Sequence, residues 1–167
     1  MKVLTSALAV LVFLQVIACA VSYNTTMGQY NVSFDMGSSD YSITENPWKS
    51  TESLSGAEKR EVGTITVQDD RNREAVISIA HYEEAHDKFS LKGKSDTATT
   101  RTIDGVLGEI DSKEIGGITL YWVFYYPAFD PEKLEVNIAS YIPWNEGTLQ
   151  LLKTIHVEEI NQTTQQI

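Results

Sequence analysis

Hydrophobic and polar residues alternate along much of the chain, as is typical of strands with one buried face. The alternation first appears at residues 30–36, which predict a strand. A second strand starts at residues 41–43. We expect it to end before Pro47, because proline cannot donate to a central ladder and holds the preceding residue in extended geometry. Residues 49–59 are polar and predict a connection with at most a short helical turn.

A β-hairpin and a short helix are predicted next. Residues 62–68 alternate, residues 69–73 are turn formers, and residues 75–80 are an apolar, β-branched run, so this part of the chain predicts a hairpin. Residues 81–91 carry charged side chains at i,i+4 and apolar ones at helical spacing. They predict a short amphipathic helix that ends at Gly93.

The strongest sheet signal follows. Residues 100–110 predict two extended stretches that meet at Gly105, and the glycine pair at 116–117 turns the chain into residues 118–126. This last run consists almost entirely of β-formers and is apolar on both faces, which predicts a central strand. Residues 134–142 alternate again and predict a strand with one buried face.

A helix is predicted to close the domain. Asn145 is a favourable N-cap, and Trp144 before it can pack against Leu149 one turn later. The helix is expected to continue to Val157 and to pack on the sheet through one apolar stripe. That stripe consists of Leu149, Leu152 and Ile155, with Leu151 beside it.

The first twenty residues form an export signal. Lys2 supplies a positive start, residues 3–14 are an apolar run, and the triplet at 18–20 fits a small-residue cleavage site. Two alternatives remain open. Cys19 fits the pattern of a lipidated N-terminal cysteine, and an uncut segment 3–21 is just long enough to span a bilayer. The protein is therefore expected outside the cell or on its surface.

Removal of the signal leaves about 147 residues, enough for one ordinary domain. Residues 21–29 are expected to form a flexible linker and residues 161–167 a frayed tail. Residues 30–160 predict a single α+β domain, in which an antiparallel β-sheet is packed by the C-terminal helix and by the short middle helix.

Charge and cysteine content narrow the classes of partner. The chain has 13 Lys+Arg and 23 Asp+Glu, for a net charge of −10. This balance opposes binding to nucleic acid and to anionic membrane surfaces, since phosphate recognition needs a basic patch, so a membrane contact is expected only through the N-terminal segment. Cys19 is the single cysteine, and a domain that has lost it must be stabilised by packing without an internal disulfide.

Three Asn-x-Ser/Thr sequons are candidates for glycosylation in an exported protein. They are at Asn24, Asn31 and Asn161. The alternative is chance, because Asn and Thr are abundant in this chain.

Two short phrases resemble a group of known proteins. Residues 102–108, Thr-Ile-Asp-Gly-Val-Leu-Gly, and residues 141–148, Tyr-Ile-Pro-Trp-Asn-Glu-Gly-Thr, precede the closing helix and resemble small exported archaeal proteins of unknown function. This resemblance covers the C-terminal third. The layout of an antiparallel sheet with a C-terminal helix is similar to the PsbP-like α/β sandwich. Both resemblances imply a non-enzymatic accessory or surface role.

Aromatic residues supply the candidate partner-binding site. Tyr121 and Tyr125 share one face of the predicted central strand, and Tyr141 lies on the more polar face of the next strand. Exposed tyrosines on a sheet can stack on sugars or anchor a protein partner. The alternative is a core on both sides of the sheet, which would bury them.

Metal and cofactor sites are not predicted. His81 and His86 lie near Glu83, Glu84 and Asp87, but residues at i,i+5 of a helix point about 140° apart, so a solvated helix with charge pairs is the expected structure. The acidic residues at 69–74 lack the glycine of a calcium loop and are expected to form a turn.

The sequence therefore predicts an exported, non-catalytic module for interaction with the cell envelope or for ligand binding. A secreted hydrolase-type enzyme and a self-assembling envelope component are the alternatives. A histidine joined to two carboxylates in a concave pocket would favour the enzyme, and an aromatic sheet face would favour binding.

Overall fold

The computed structural model describes residues 22–52 and 59–160. These residues form ten strands and one short α-helix, which a π-helical turn at Trp144–Thr148 precedes. The elements are β1 (Ser22–Met27), β2 (Tyr30–Asp35), β3 (Tyr41–Glu52), β4 (Lys59–Asp69), β5 (Glu74–Tyr82), β6 (Thr99–Ile103), β7 (Val106–Ile115), β8 (Ile118–Tyr125), β9 (Leu134–Ser140), α1 (Leu149–Thr154) and β10 (His156–Glu159).

The strands form two sheets. The larger has seven strands in the order β3-β4-β5-β9-β8-β7-β6, and the smaller has three in the order β1-β2-β10. Every strand pair is antiparallel. The predicted antiparallel sheet is confirmed, and so is the interior position of β8, which pairs with β7 on one side and β9 on the other.

Two tight turns fix the register around β7. Asp104 and Gly105 have φ of 49° and 76° between β6 and β7, and Gly116 and Gly117 have φ of 62° and 80° between β7 and β8. Two successive residues with positive φ are the geometry of the hairpin turn whose twist matches that of the strands, and this geometry favours Asp-Gly and Gly-Gly.

The core lies between the inner faces of the two sheets and α1. Its members are apolar side chains at alternate strand positions, so each sheet is stabilised by removing one face from water. The largest fully buried side chains are Tyr30, Phe34, Ile65, Ile77, Ile79, Ile103, Tyr125, Leu134, Ile138, Ile142, Leu151 and Leu152.

The predicted middle helix is wrong. β5 continues to Tyr82, and the chain is irregular from there to β6. The backbone amides of Leu91 and Lys92 donate to the Glu109 carboxylate at 2.6 and 3.2 Å instead of to helical carbonyls. Phe89 packs on Phe124 with 4.5 Å between ring centroids. This segment therefore covers part of the outer face of the large sheet.

Two predictions near the N-terminus are also wrong. β1 lies within the expected linker 21–29 and pairs with β2 along its whole length. β3 does not end before Pro47 but continues to Glu52, with a register shift between Asn46 and Lys49. Because β3 is an edge strand and the shift places Pro47 in an irregularity, the proline removes no central hydrogen bond. The remainder of the predicted connection, residues 53–58, lies outside the described residues.

The closing helix is shorter than predicted. Helical structure begins at Trp144, with Pro143 rather than Asn145 in the N-cap position. The α-helix ends at Thr154, and His156–Glu159 pair with β2 as a strand. The expected apolar stripe is confirmed at Leu152 and Ile155, while Leu151 is fully buried and Leu149 only half-buried.

Candidate ligand-binding site

Two side chains from distant parts of the chain meet at the ring of Trp144. The Tyr121 ring, on β8, lies 5.0 Å from the Trp144 ring at an interplanar angle of 38°. The guanidinium carbon of Arg101, on β6, lies 5.5 Å from the centroid of the Trp144 ring. This is a cation–π distance. Arg101, Tyr121 and Trp144 form what we call the aromatic cluster.

The aromatic cluster lines a cleft of about 640 Å³ at the end of the large sheet. By strand alternation Tyr121 shares a face with Val123, which is buried in the core, but Tyr121 itself is only half-buried. The cleft therefore continues the inner face of the sheet beyond the edge of the core. The other lining residues are Thr97, Thr99, Thr100, Ile110, Asp111 and Ser112.

A second cleft, of about 330 Å³, adjoins the first. Tyr121 and Trp144 line both clefts. The second cleft also contains Tyr141, which is 39% exposed, and Ile118 near the tip of the β7–β8 hairpin. The predicted Tyr121 and Tyr141 thus lie in neighbouring clefts.

The two arginines beside Trp144 differ in their partners. Arg73 lies 2.6 Å from Asp69 and 3.9 Å from Glu146. Within residues 22–52 and 59–160, no carboxylate is within ion-pair distance of Arg101. Arg101 is exposed, so its charge in the first cleft is not held in an ion pair with any acid of the described chain.

Asp111 is the acid that lines the first cleft. The Thr97 hydroxyl donates to its Oδ1 at 2.6 Å. This hydrogen bond lowers the pKa of Asp111, so the carboxylate remains charged over a wider pH range. Because side chains alternate along β7, Asp111 lies on the opposite face of the sheet from Ser112. Its hydrogen bond with Thr97 keeps the carboxylate at the rim of the first cleft.

The prediction that Tyr125 belongs to a surface patch is wrong. Tyr125 is 0% exposed, and its ring lies within the core. Tyr121 and Tyr125 do share a face, but that face is the inside of the sandwich, and Tyr125 lies deeper along it. Burial raises the pKa of Tyr125, whose hydroxyl has no hydrogen-bond partner among the described residues.

Sequence reasoning did not identify Arg101, and it assigned Trp144 to a helix staple. Arg101 and Trp144 can meet only because β6 lies at the edge of the large sheet and the chain that follows β9 runs back across that sheet. Neither condition can be read from local alternation. An arginine within an otherwise uncharged Thr-Thr-Arg-Thr strand is the one local signal present.

The histidines lie outside these clefts. His86 is stacked on Tyr82 at 3.6 Å between centroids, with its side chain 3% exposed, and its Nδ1 lies 2.8 Å from the carbonyl of Glu132. His81 Nε2 lies 3.9 Å from Asp130. In the described part of the chain, no group of three or more histidine, cysteine or acidic side chains is arranged to hold a metal ion.

The acidic turn at residues 69–74 forms as predicted. The Asp69 carboxylate accepts hydrogen bonds from the backbone amides of Arg71 and Arg73, both at 2.9 Å, and from Arg73 Nε at 2.6 Å. Desolvation raises the pKa of Asp69, but the bonds from Arg73 and Arg71 outweigh it and hold the pKa below its ordinary value.

Two of the predicted modification sites can be placed. Asn24 is exposed on β1. Asn31 is half-exposed on β2, where its amide oxygen accepts from Thr26 and its amide nitrogen donates to Glu158. Asn161 and Cys19 lie outside the described residues, and glycosylation and lipidation remain predictions.

Comparisons with models of protein families, with curated proteins and with solved structures find no match for this chain. Among the described helices none is long and apolar enough to cross a membrane.

Proposed function

We propose that the protein is an exported, non-catalytic ligand-binding module of the cell envelope, and that it binds its ligand at the aromatic cluster. The observation that carries the proposal is the cleft in which Arg101 and Tyr121 meet on the Trp144 ring. Small-ligand sites are commonly concave, with aromatic walls and a few polar groups that orient the ligand. The proposed export rests on the N-terminal signal, and the accessory or surface role implied by the resemblance to PsbP-like domains belongs to the same proposal.

The histidine positions favour binding over the hydrolase alternative. Four clefts among the described residues, including both clefts at Trp144, have no histidine in their linings. His156 has two acids nearby, with Asp104 at 2.6 Å and Glu158 at 3.7 Å, but it is exposed on the edge strand β10 and lines none of these clefts. A general base acts on a substrate held within hydrogen-bond reach, and this arrangement offers no enclosure for one.

The proposal is tested by measuring how much of the protein is retained on envelope material. Purified full-length protein is mixed with envelopes isolated from the source cells, and the sedimenting fraction is measured against protein concentration. We expect Tyr121→Ser and Tyr141→Ser to weaken retention with little change in melting temperature, because both side chains line the clefts without belonging to the buried core.

Phe129→Ser is the matched control, since Phe129 is an aromatic residue that is 44% exposed and lines neither cleft. Retention that survives both tyrosine changes would contradict the proposal. Retention lost equally in the Phe129 variant would mean that the assay reports general hydrophobic adhesion.

A further inference from the structure

We infer, resting on the proposed function, that the ligand at the aromatic cluster is an acidic saccharide whose carboxylate pairs with Arg101 while a sugar ring packs against Trp144 and Tyr121. The cleft of about 640 Å³ lies within the range of about 300–1,000 Å³ typical of small-ligand sites. The side chains that line the cleft then indicate which class of ligand fits it.

The charge of Arg101 indicates an anionic group on the ligand. The chain has a net charge of −10, yet Arg101 has no acidic partner among the residues that the structure describes. Its contact with Trp144 holds the guanidinium over the ring. A held guanidinium can donate two parallel hydrogen bonds to one carboxylate, which gives both affinity and orientation.

The rest of the cleft lining indicates a saccharide. Two amphipathic rings, Tyr121 and Trp144, present apolar faces beside polar groups, which suits the C–H face of a sugar. Hydroxyl side chains surround them, Ile110 is the single aliphatic side chain in the lining, and Asp111, which accepts from the Thr97 hydroxyl, is its single carboxylate. The hydroxyls belong to Thr97, Thr99, Thr100 and Ser112.

An acidic peptide is the competing ligand class. β6 is an edge strand of the large sheet, and a peptide strand could in principle pair with it. A peptide strand gains specificity from pockets for alternate side chains, and an acidic peptide needs a cationic group at each of them. The lining supplies a single cation, Arg101, among hydroxyl groups, so the composition of the cleft favours the saccharide.

The probe is trigalacturonate, measured by isothermal titration against the full-length protein. Galactotriose with the same linkage is the neutral comparison, because it carries hydroxymethyl groups where trigalacturonate has carboxylates. Hexaglutamate is the peptide comparison. We expect trigalacturonate to bind at least about tenfold more tightly than galactotriose, since a hydrogen bond to a charged group accounts for about this ratio.

Substitutions of Arg101 test whether the tighter binding of trigalacturonate arises in this cleft. Arg101→Gln should weaken trigalacturonate binding by about tenfold or more, and Arg101→Lys should restore part of it, because lysine keeps the charge but loses the paired geometry. Arg71→Gln is the matched control: it removes the same charge from the exposed β4–β5 turn, outside this cleft.

The outcomes separate this inference from the proposed function. Equal binding of galactotriose and trigalacturonate, or no effect of Arg101→Gln, overturns the acidic class while a saccharide-binding module stands. Tighter binding of hexaglutamate overturns the saccharide in favour of a peptide. If none of the three probes binds, the inference is wrong, and the envelope assay with Tyr121→Ser decides the proposed function independently.

Discussion

Leu152→Ala tests how the C-terminal segment is held. α1 has only six residues, too few for a helix that is stable by itself, so it depends on packing. Leu152 is 2% exposed and Leu151 is fully buried, and both belong to the core cluster. Truncating a buried leucine to alanine costs the lost burial of the side chain together with the cavity left behind, about 2–5 kcal/mol.

We expect a value near the lower half of that range, about 3 kcal/mol, because a single short helix can shift toward the sheet and fill part of the cavity. Against a total stability of about 5–15 kcal/mol this is a large loss. For a domain of this size it corresponds to a fall in melting temperature of roughly 10 °C.

The assay is urea unfolding followed by circular dichroism, with the midpoint and slope fitted separately. Lys153→Ala is the control, since the neighbouring side chain is exposed and its loss should change stability by no more than about 0.5 kcal/mol. A loss below about 1 kcal/mol for Leu152→Ala would refute the docking of α1 on the core. An unchanged midpoint and an unchanged slope would mean that the segment is already detached in the native state.

Three further changes probe other parts of the molecule. Thr148→Val removes the hydroxyl that donates at 2.5 Å to the carbonyl of Ile142, and leaving that buried acceptor unpaired should cost about 1–3 kcal/mol in urea unfolding. Tyr125→Phe should leave stability unchanged or higher, because the buried hydroxyl that it removes has no hydrogen-bond partner among the described residues; a loss above about 1 kcal/mol would reveal one. His156→Gln should destabilise more at pH 5 than at pH 9. The hydrogen bond to Asp104 raises the pKa of His156 above its ordinary 6.5, so this stabilisation is complete below 6.5 and is lost as the pH rises through the folded-state pKa. His156 is exposed, so about 0.5 kcal/mol is expected, and equal effects at both pH values would contradict the assignment.

Local alternation predicted most of the strands because each has one face in the core. The interior position of β8 followed from its apolar residues on both faces, and the turn between β7 and β8 followed from the glycine pair at 116–117. These features depend on neighbours in sequence or on burial alone, which is why a single sequence reveals them.

The wrong predictions share one cause, which is a contact with residues that are distant in the sequence. Residues 81–91 have helical spacing, but the carboxylate of Glu109 binds the backbone amides of Leu91 and Lys92 and stabilises an irregular segment over the outer face. The predicted end of the closing helix forms a strand because β2 offers an unpaired edge to residues 156–159. In both cases a tertiary partner outweighs a weak local preference.

The candidate site follows from the unequal sizes of the two sheets. Seven strands face three, so the inner face of the large sheet extends beyond the smaller sheet and α1. Where the core ends, the same alternation that buries Val123 leaves Tyr121 and Arg101 only partly covered, by Trp144. The inner face of a sheet carries large side chains. Where neither the smaller sheet nor α1 packs over that face, these side chains remain accessible to a ligand. The position of the cleft is therefore set by the architecture, while the ligand class that we propose for it rests on the arginine and hydroxyl side chains of β6 and β7.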